Sequence, residues 1–470
     1  MGRPSNRACL LLLTSASLVA VLVACTICGA VVLFTQISPE PDVTAPTSSS
    51  ISSTPIAGPE NSDWLRTHAL PLETVEPYDG DDFGDLMPLK DLIGDARIVA
   101  LGEATHGTHE FFTMKHRMVR FLVQEMGFNV FAIEDNWTEA TFVNDYVLYG
   151  EGDATTAVLK GINYWTWRTE EVRDMVAWMR RYNESPGASP LVSFHGFDVN
   201  KEQTLAIDNV VRFLEDVDPP SAAEAGANYE CFYAEDVDSW YPEISRTAQD
   251  ECRAGLQAVM DVLLANQERY IALSSPEAYE VAVQSARVVL QAEDVFGQDD
   301  PQARDRHMAE NARWLLDQAG SEAKIILWAH NAHVSGADPE ECEDCLGMGH
   351  HLRQVYGDNL VIFGFAFNEG QVTAIGPDWE LTAHPVSPAP PETFEWYAHN
   401  TGLPAFILNL RGLGADEPGA AWLTQPLLFR SVGSMYDPTV PEEWFCEYNL
   451  PRAFDAIIYV DQTTATWLLP

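Results

Sequence analysis

Seven apolar runs of five to eight residues constrain this chain more than any other feature. They are RIVAL (Arg97 to Leu101), VFAIE (Val130 to Glu134), LVSFHGF (Leu191 to Phe197), KIILWAH (Lys324 to His330), LVIFGFAF (Leu360 to Phe367), AFILNL (Ala405 to Leu410) and AIIYV (Ala456 to Val460). Short aliphatic and aromatic runs of this kind read as buried strands. The segments between them are helical in pattern. HEFFTMKHRMVRFLVQEMGF sets Phe112, Met118, Val119 and Leu122 on one side and stops at Gly127. TEEVRDMVAWMRRYN opens with a Thr cap and an acidic turn. Strands alternating with helices predict an α/β fold, a mainly parallel sheet flanked by helices. Residues 221–311 are richer in Ala and helix and read as a helical insertion.

In a parallel sheet, function gathers at the carboxyl ends of the strands. RIVAL runs into Glu103 and His106, and VFAIE ends on Glu134. LVSFHGF carries His195 and reaches Asp198, while KIILWAH ends on His330 with His333 three residues later. Four strands thus bring carboxylates and imidazoles to one edge. An imidazole takes a proton from water and returns it to a leaving group. A neighbouring carboxylate fixes its tautomer, and further His or Arg side chains hold an oxyanion. Other machinery is missing from the sequence: no Gly-x-Ser-x-Gly elbow, no His-Glu-x-x-His, no phosphate-binding loop. The pattern points to direct activation of water, with or without a metal.

The ends and the charge set the context. Arg3 and Arg7 precede an uncharged, mostly apolar stretch at 8–39, longer than the about 20 residues that cross a bilayer. Residues 1–37 read as a membrane anchor or signal segment that puts the body outside the cytoplasm. LVAC, ending at Cys25, offers a lipoprotein alternative. Residues 38–60, rich in Ser, Thr and Pro, form a flexible linker, and 61–470 is the catalytic domain. Acid dominates, with 70 Asp+Glu against 27 Lys+Arg and a net charge of -43. Such a field repels phosphates, so nucleic acid is not an expected partner. It suits a strongly solvated surface or one adapted to high salt. Cys231 with Cys252, and Cys342 with Cys345, are candidate disulfides in an exported protein. CEDCLGMGHH (Cys342 to His351) holds a single Cys-x-x-Cys, too little for a zinc signature.

LGEATHGTHEF, FAIED, WTWRTEEV, FHGFD, RDRHMAENARWL, LWAHNAHV and MGHHLRQVYGD, in this order and spacing, resemble the erythromycin esterase family over roughly residues 60–465. The resemblance implies an α/β esterase that opens macrolide lactones by hydrolysis, with a small-molecule ester or lactone as substrate. It implies that His106 activates water with Glu103 as its partner, and that Glu134, His330 and His333 complete the catalytic set. A basic residue in the first helix of the motif, Arg in some members, falls on Lys115. Lys115, Trp165, Trp167, Arg168, His195 and Asp198 are the candidates for substrate contact. This reading needs no metal and no cofactor. A second reading, from another class, is an exported metal- or haem-binding protein or metal-dependent hydrolase, with Glu103, His106, Glu134, His330 and His333 as ligands by type. Oligomeric state is not legible.

Overall fold

The computed structural model describes residues 58–233, 241–297, 300–337, 346–414 and 417–470. The expected anchor and lipidation site at 1–37, most of the linker, and the expected Cys342–Cys345 pair lie outside the described residues. No helix among the described residues is long and apolar enough to cross a membrane.

The strands are β1 (Leu70–Pro71), β2 (Ile98–Leu101), β3 (Val130–Asn136), β4 (Ser193–Asp198), β5 (Ile325–Trp328), β6 (Leu360–Ile375), β7 (Leu381–Val386), β8 (Ala405–Asn409), β9 (Leu427–Arg430), β10 (Phe445–Tyr448) and β11 (Ala456–Thr463). Nine of them make one sheet in the order β1-β8-β11-β6-β2-β5-β3-β4, with β7 folded back on β6; β9 and β10 pair separately. From β11 to β4 every neighbour is parallel. All seven apolar runs are strands, but AFILNL, as β8, lies antiparallel to β11.

Alternation along the strands divides the core. Ile98, Ala100, Val130, Ala132, Ile325 and Leu327 face one apolar layer that includes Met308, Leu315 and Leu316. Val99, Leu101, Phe131, Ile133, Ile326 and Trp328 face the other, with Phe112, Met118 and Leu122 of the helix His109–Met126 and Met175 and Met179 of the helix Glu170–Glu184. Burial on both faces is why these strands are continuously apolar rather than alternating. Gly127 ends the first helix in a left-handed conformation at φ 73°, and the hydroxyl of Thr169 caps the second by accepting from the Val172 N–H. Between β4 and β5 a set of helices from Thr204–Val217 to Pro276–Gly297 packs a core of its own around Leu214, Tyr229, Leu256 and Val289. A Cys231–Cys252 disulfide staples it, and Cys446 is also disulfide-bonded.

The helix His109–Met126 is docked by a buried charge. Arg117 has 1% side-chain exposure. It donates to both oxygens of Asp81 (2.6 and 3.2 Å) and of Asp85 (2.6 and 2.9 Å) and to the Thr74 carbonyl at 2.8 Å. Burial pushes both carboxyls up, but the guanidinium outweighs it and holds them below the usual range. A depressed carboxyl adds stability above its unfolded value of about 3.9, and that stability is lost as pH falls through the folded value. Removing one partner of such a network costs about 3–5 kcal/mol. Arg117→Met should therefore lower stability by that order in chemical denaturation, and should raise the pH at which acid unfolds the protein. An unchanged acid midpoint would show that the pair does not hold the helix.

Candidate active site

The loop leaving β2 carries Gly102, Glu103, Ala104, Thr105 and His106, and several of its backbone groups are tied down. The Gly102 N–H donates to the Phe363 carbonyl at 2.7 Å; the carbonyls of Glu103 and Ala104 accept from the Asn331 N–H (2.8 Å) and the Val432 N–H (2.7 Å). The Gly107 carbonyl accepts from the N–H groups of Thr373 (2.8 Å) and Thr466 (3.1 Å). A Cβ at Gly107 would lie 1.9 Å from the Thr373 carbonyl oxygen, so no other residue fits between the loop and β6.

Glu103 is wholly buried. One oxygen lies 2.7 Å from Nδ1 of His106. The other accepts from Nζ of Lys115 at 2.5 Å and from Nε1 of Trp328 at 2.9 Å. A carboxylate only accepts, so Nδ1 of His106 carries a proton toward Glu103. The His106 ring meets Trp167 edge-on at 5.3 Å and lies 5.0 Å from the ring of His330, and its side chain keeps 11% exposure. Lys115 is wholly enclosed, over the rings of Trp328 and Phe365. Burial pushes its pKa down to about 8 against the pull of Glu103.

A second cluster stands beside this one. Arg304, on the helix Ala303–Ala319, donates to both oxygens of Asp198 (2.9 and 2.6 Å) and to Oε1 of Glu134 at 3.0 Å. Its Nη1 lies 3.2 Å from Nε2 of His333, and 30% of its side chain stays exposed. His333 donates from Nδ1 to Asp305 at 2.8 Å, and its Nε2 lies 3.4 Å from Glu134. Burial opposes its charge, but Asp305 and Glu134 raise its pKa to about 9. Burial also disfavours the charge on Glu134, yet His333, His106 and Arg304 together hold it well below the usual carboxylate range. The other oxygen of Glu134 accepts the His330 N–H at 2.9 Å.

The expected set therefore divides. Glu103, His106, Glu134, Asp198, His330 and His333 do converge on the ends of adjacent strands, and Lys115 lies beneath them. His330 uses both ring nitrogens on backbone: Nε2 donates to the Val432 carbonyl at 3.2 Å and Nδ1 accepts from the Ala332 N–H at 3.2 Å. Burial, then the nearby His106, drives its pKa well below the usual value. Trp167, 1% exposed, donates from its indole to the Glu134 carbonyl at 3.0 Å and walls His106. Trp165 sits half-buried in the same turn. Asp135 pins that turn through the N–H groups of Asn163 and Tyr164. Arg168 holds the Ile162 carbonyl at 2.8 Å. His195 lies part-way along β4, bonded to the Ser193 hydroxyl, where burial lowers its pKa to about 4. Arg304 and Asp305 carried no assigned role in the sequence, although both stand in the quoted RDRHMAENARWL.

Among the described residues, no group of three or more His, Cys, Asp or Glu is placed to hold a metal ion. The donors are spent on each other: His106 Nδ1 on Glu103, Glu134 on Arg304 and the His330 N–H, His330 on backbone. This is the geometry of an acid–base site on the carboxyl edge of a parallel sheet.

A profile of the erythromycin esterase family matches residues 123–463. The chain belongs to this family and is a hydrolase. It is similar to erythromycin esterase type II of Escherichia coli, 27% identical over 67% of this chain and 79% of the relative. A solved Bacillus cereus protein superposes with a TM-score of 0.78 at 25% identity, over 88% of this chain and all of that one. A point mutant of the erythromycin esterase EreC in its open conformation gives a TM-score of 0.69 at 16% identity, over 86% and 99% of the two chains. The family match begins after the loop that carries Glu103 and His106.

The buried lysine sets a pH limit. The protonated fraction of Lys115 falls as pH rises through about 8, and the clamp on Glu103 weakens with it. Turnover should decline above that pH. Lys115→Arg, which cannot deprotonate, should move the decline upward. A limb at the same pH in both proteins would take Lys115 out of the account.

Proposed function

We propose that the protein hydrolyses a carboxylic ester or lactone of a small molecule, macrolide lactones being the substrate class that the family name suggests. The observation that carries the reading is the buried 2.7 Å contact between Glu103 and His106 Nδ1. Nε2 of His106 takes a proton from a water whose oxygen bonds to the carbonyl carbon. Glu103 stabilises the imidazolium that forms. The tetrahedral oxyanion then expels its alkoxide, the carbon–oxygen bond breaks, and the imidazolium returns the proton to the alkoxide. An acid and an alcohol leave, or a single opened hydroxy acid where the substrate is a lactone.

The oxyanion needs a cation that substrate can reach. Lys115 is enclosed and spends its charge on Glu103. Arg304 is part-exposed, and Asp198 and Glu134 fix its plane, so we assign the carbonyl oxygen to Arg304. Glu134 then positions Arg304 and His333, while His330 and Trp167 shape the wall. The metal-binding alternative is not favoured, because the candidate ligands bond to one another and to backbone.

Loss of a general base typically costs about 10²–10⁴ in rate. His106→Ala should lose activity of that order on an aryl ester and on a lactone. Glu103→Gln should lower kcat while the thermal midpoint stays near the parent's, since the fault is electrostatic. If His106→Ala hydrolyses a good substrate within a few-fold of the parent, the assignment fails.

A further inference from the structure

Residues 464–468, near the end of the chain, cross over the loop that follows His106 and roof one side of a groove. Its volume is about 360 Å³, and its walls include Gln371, Thr373, Thr382, Thr466, Trp467 and Leu468. That lies in the range of small-molecule sites, about 300–1,000 Å³. No charged side chain lines it.

Trp467 is 59% exposed, yet it is held rigidly. Its N–H donates to Glu171 at 3.1 Å and its carbonyl accepts from the Glu170 N–H at 2.7 Å. Its ring rests on the imidazole of His109, centroids 4.8 Å apart. Hydrogen bonds to Glu171 and Glu76 raise that imidazole to about 10, so a cation underlies the ring. Thr466 is 94% buried by its exposure of 6%, but its hydroxyl has no hydrogen-bond partner. Thr373 donates to the Thr466 carbonyl at 3.2 Å. The groove therefore offers a fixed aromatic plate with neutral amide and hydroxyl groups around it.

We propose that this groove binds a neutral pyranoside. The apolar face of a sugar ring lies against the free face of Trp467, and its hydroxyls meet groups that both donate and accept. A phosphate or carboxylate would need cations that the lining lacks, in a protein whose net charge of -43 repels anions. The floor of the groove is part of the catalytic loop's support, since the N–H groups of Thr373 and Thr466 both bond the Gly107 carbonyl. The proposal does not depend on ester hydrolysis, because it concerns binding at equilibrium.

The test is a titration of the whole protein with methyl glucoside, methyl galactoside, methyl mannoside and their neutral disaccharides. Binding is followed by tryptophan fluorescence and by saturation-transfer NMR, with glucuronate as the charged control. At least one neutral sugar should bind, equally well to the parent and to His106→Ala. Trp467→Ala should weaken it about tenfold, which is roughly 1.4 kcal/mol. Trp467→Tyr should retain most of it. Absence of binding by every neutral sugar, binding unchanged in Trp467→Ala, or glucuronate binding as tightly would each overturn the proposal.

Discussion

The site depends on one buried carboxylate. Glu103 gathers donors from three elements: His106 from its own loop, Lys115 from the helix His109–Met126 and Trp328 from β5. A charge with no exposure is tolerated only when it is paired and its lone pairs are filled. Glu103 meets that condition and in doing so orients His106. Lys115 is bound by the same condition, enclosed by rings and satisfied by Glu103. The pair joins helix to loop, and Arg117 two residues further on joins the same helix to Asp81 and Asp85. The helix His109–Met126 thus carries both the partner of Glu103 and the partner of Asp81 and Asp85.

The second cluster works differently. Arg304, His333, Glu134, Asp198 and Asp305 alternate in sign, so each charge is offset by its neighbours. Asp305 also accepts the Met348 N–H at 2.8 Å and so anchors the start of the helix Met348–Tyr356. Arg304 comes from the helix that follows the helical region between β4 and β5. A chain segment remote from the strand ends in sequence thus supplies the part-exposed cation of this cluster.

Strand type and the edge to which carboxylates and imidazoles converge were legible because burial on both faces writes a continuous apolar run. Ile98 to Leu101 and Ile325 to Trp328 alternate between two cores, and no polar position interrupts them. The short or exposed strands β1, β7, β9 and β10 lack that mark; Leu381, Thr382 and Ala383 of β7 lie exposed. The converging carboxylates and imidazoles could be read because each lies at or just past the end of a strand. Arg304 could not, since a base at the start of a helix does not say which strand end it faces. The separate duties of His330 and His106 were also hidden. Sequence gives residue type, whereas duty follows from which ring nitrogen is spent: on the Val432 carbonyl in one case and on Glu103 in the other.

The central proposal is that Glu103 holds the proton of His106 on Nδ1 and leaves Nε2 to accept a proton from water. Nitrogen-15 NMR of the histidine-labelled protein reads this directly at a pH where the enzyme is active, with the His106 signals assigned by difference from His106→Asn. The account predicts a protonated Nδ1 and an unprotonated Nε2, with that preference lost in Glu103→Gln. A His106 that carries its proton on Nε2 in the active parent protein would contradict it.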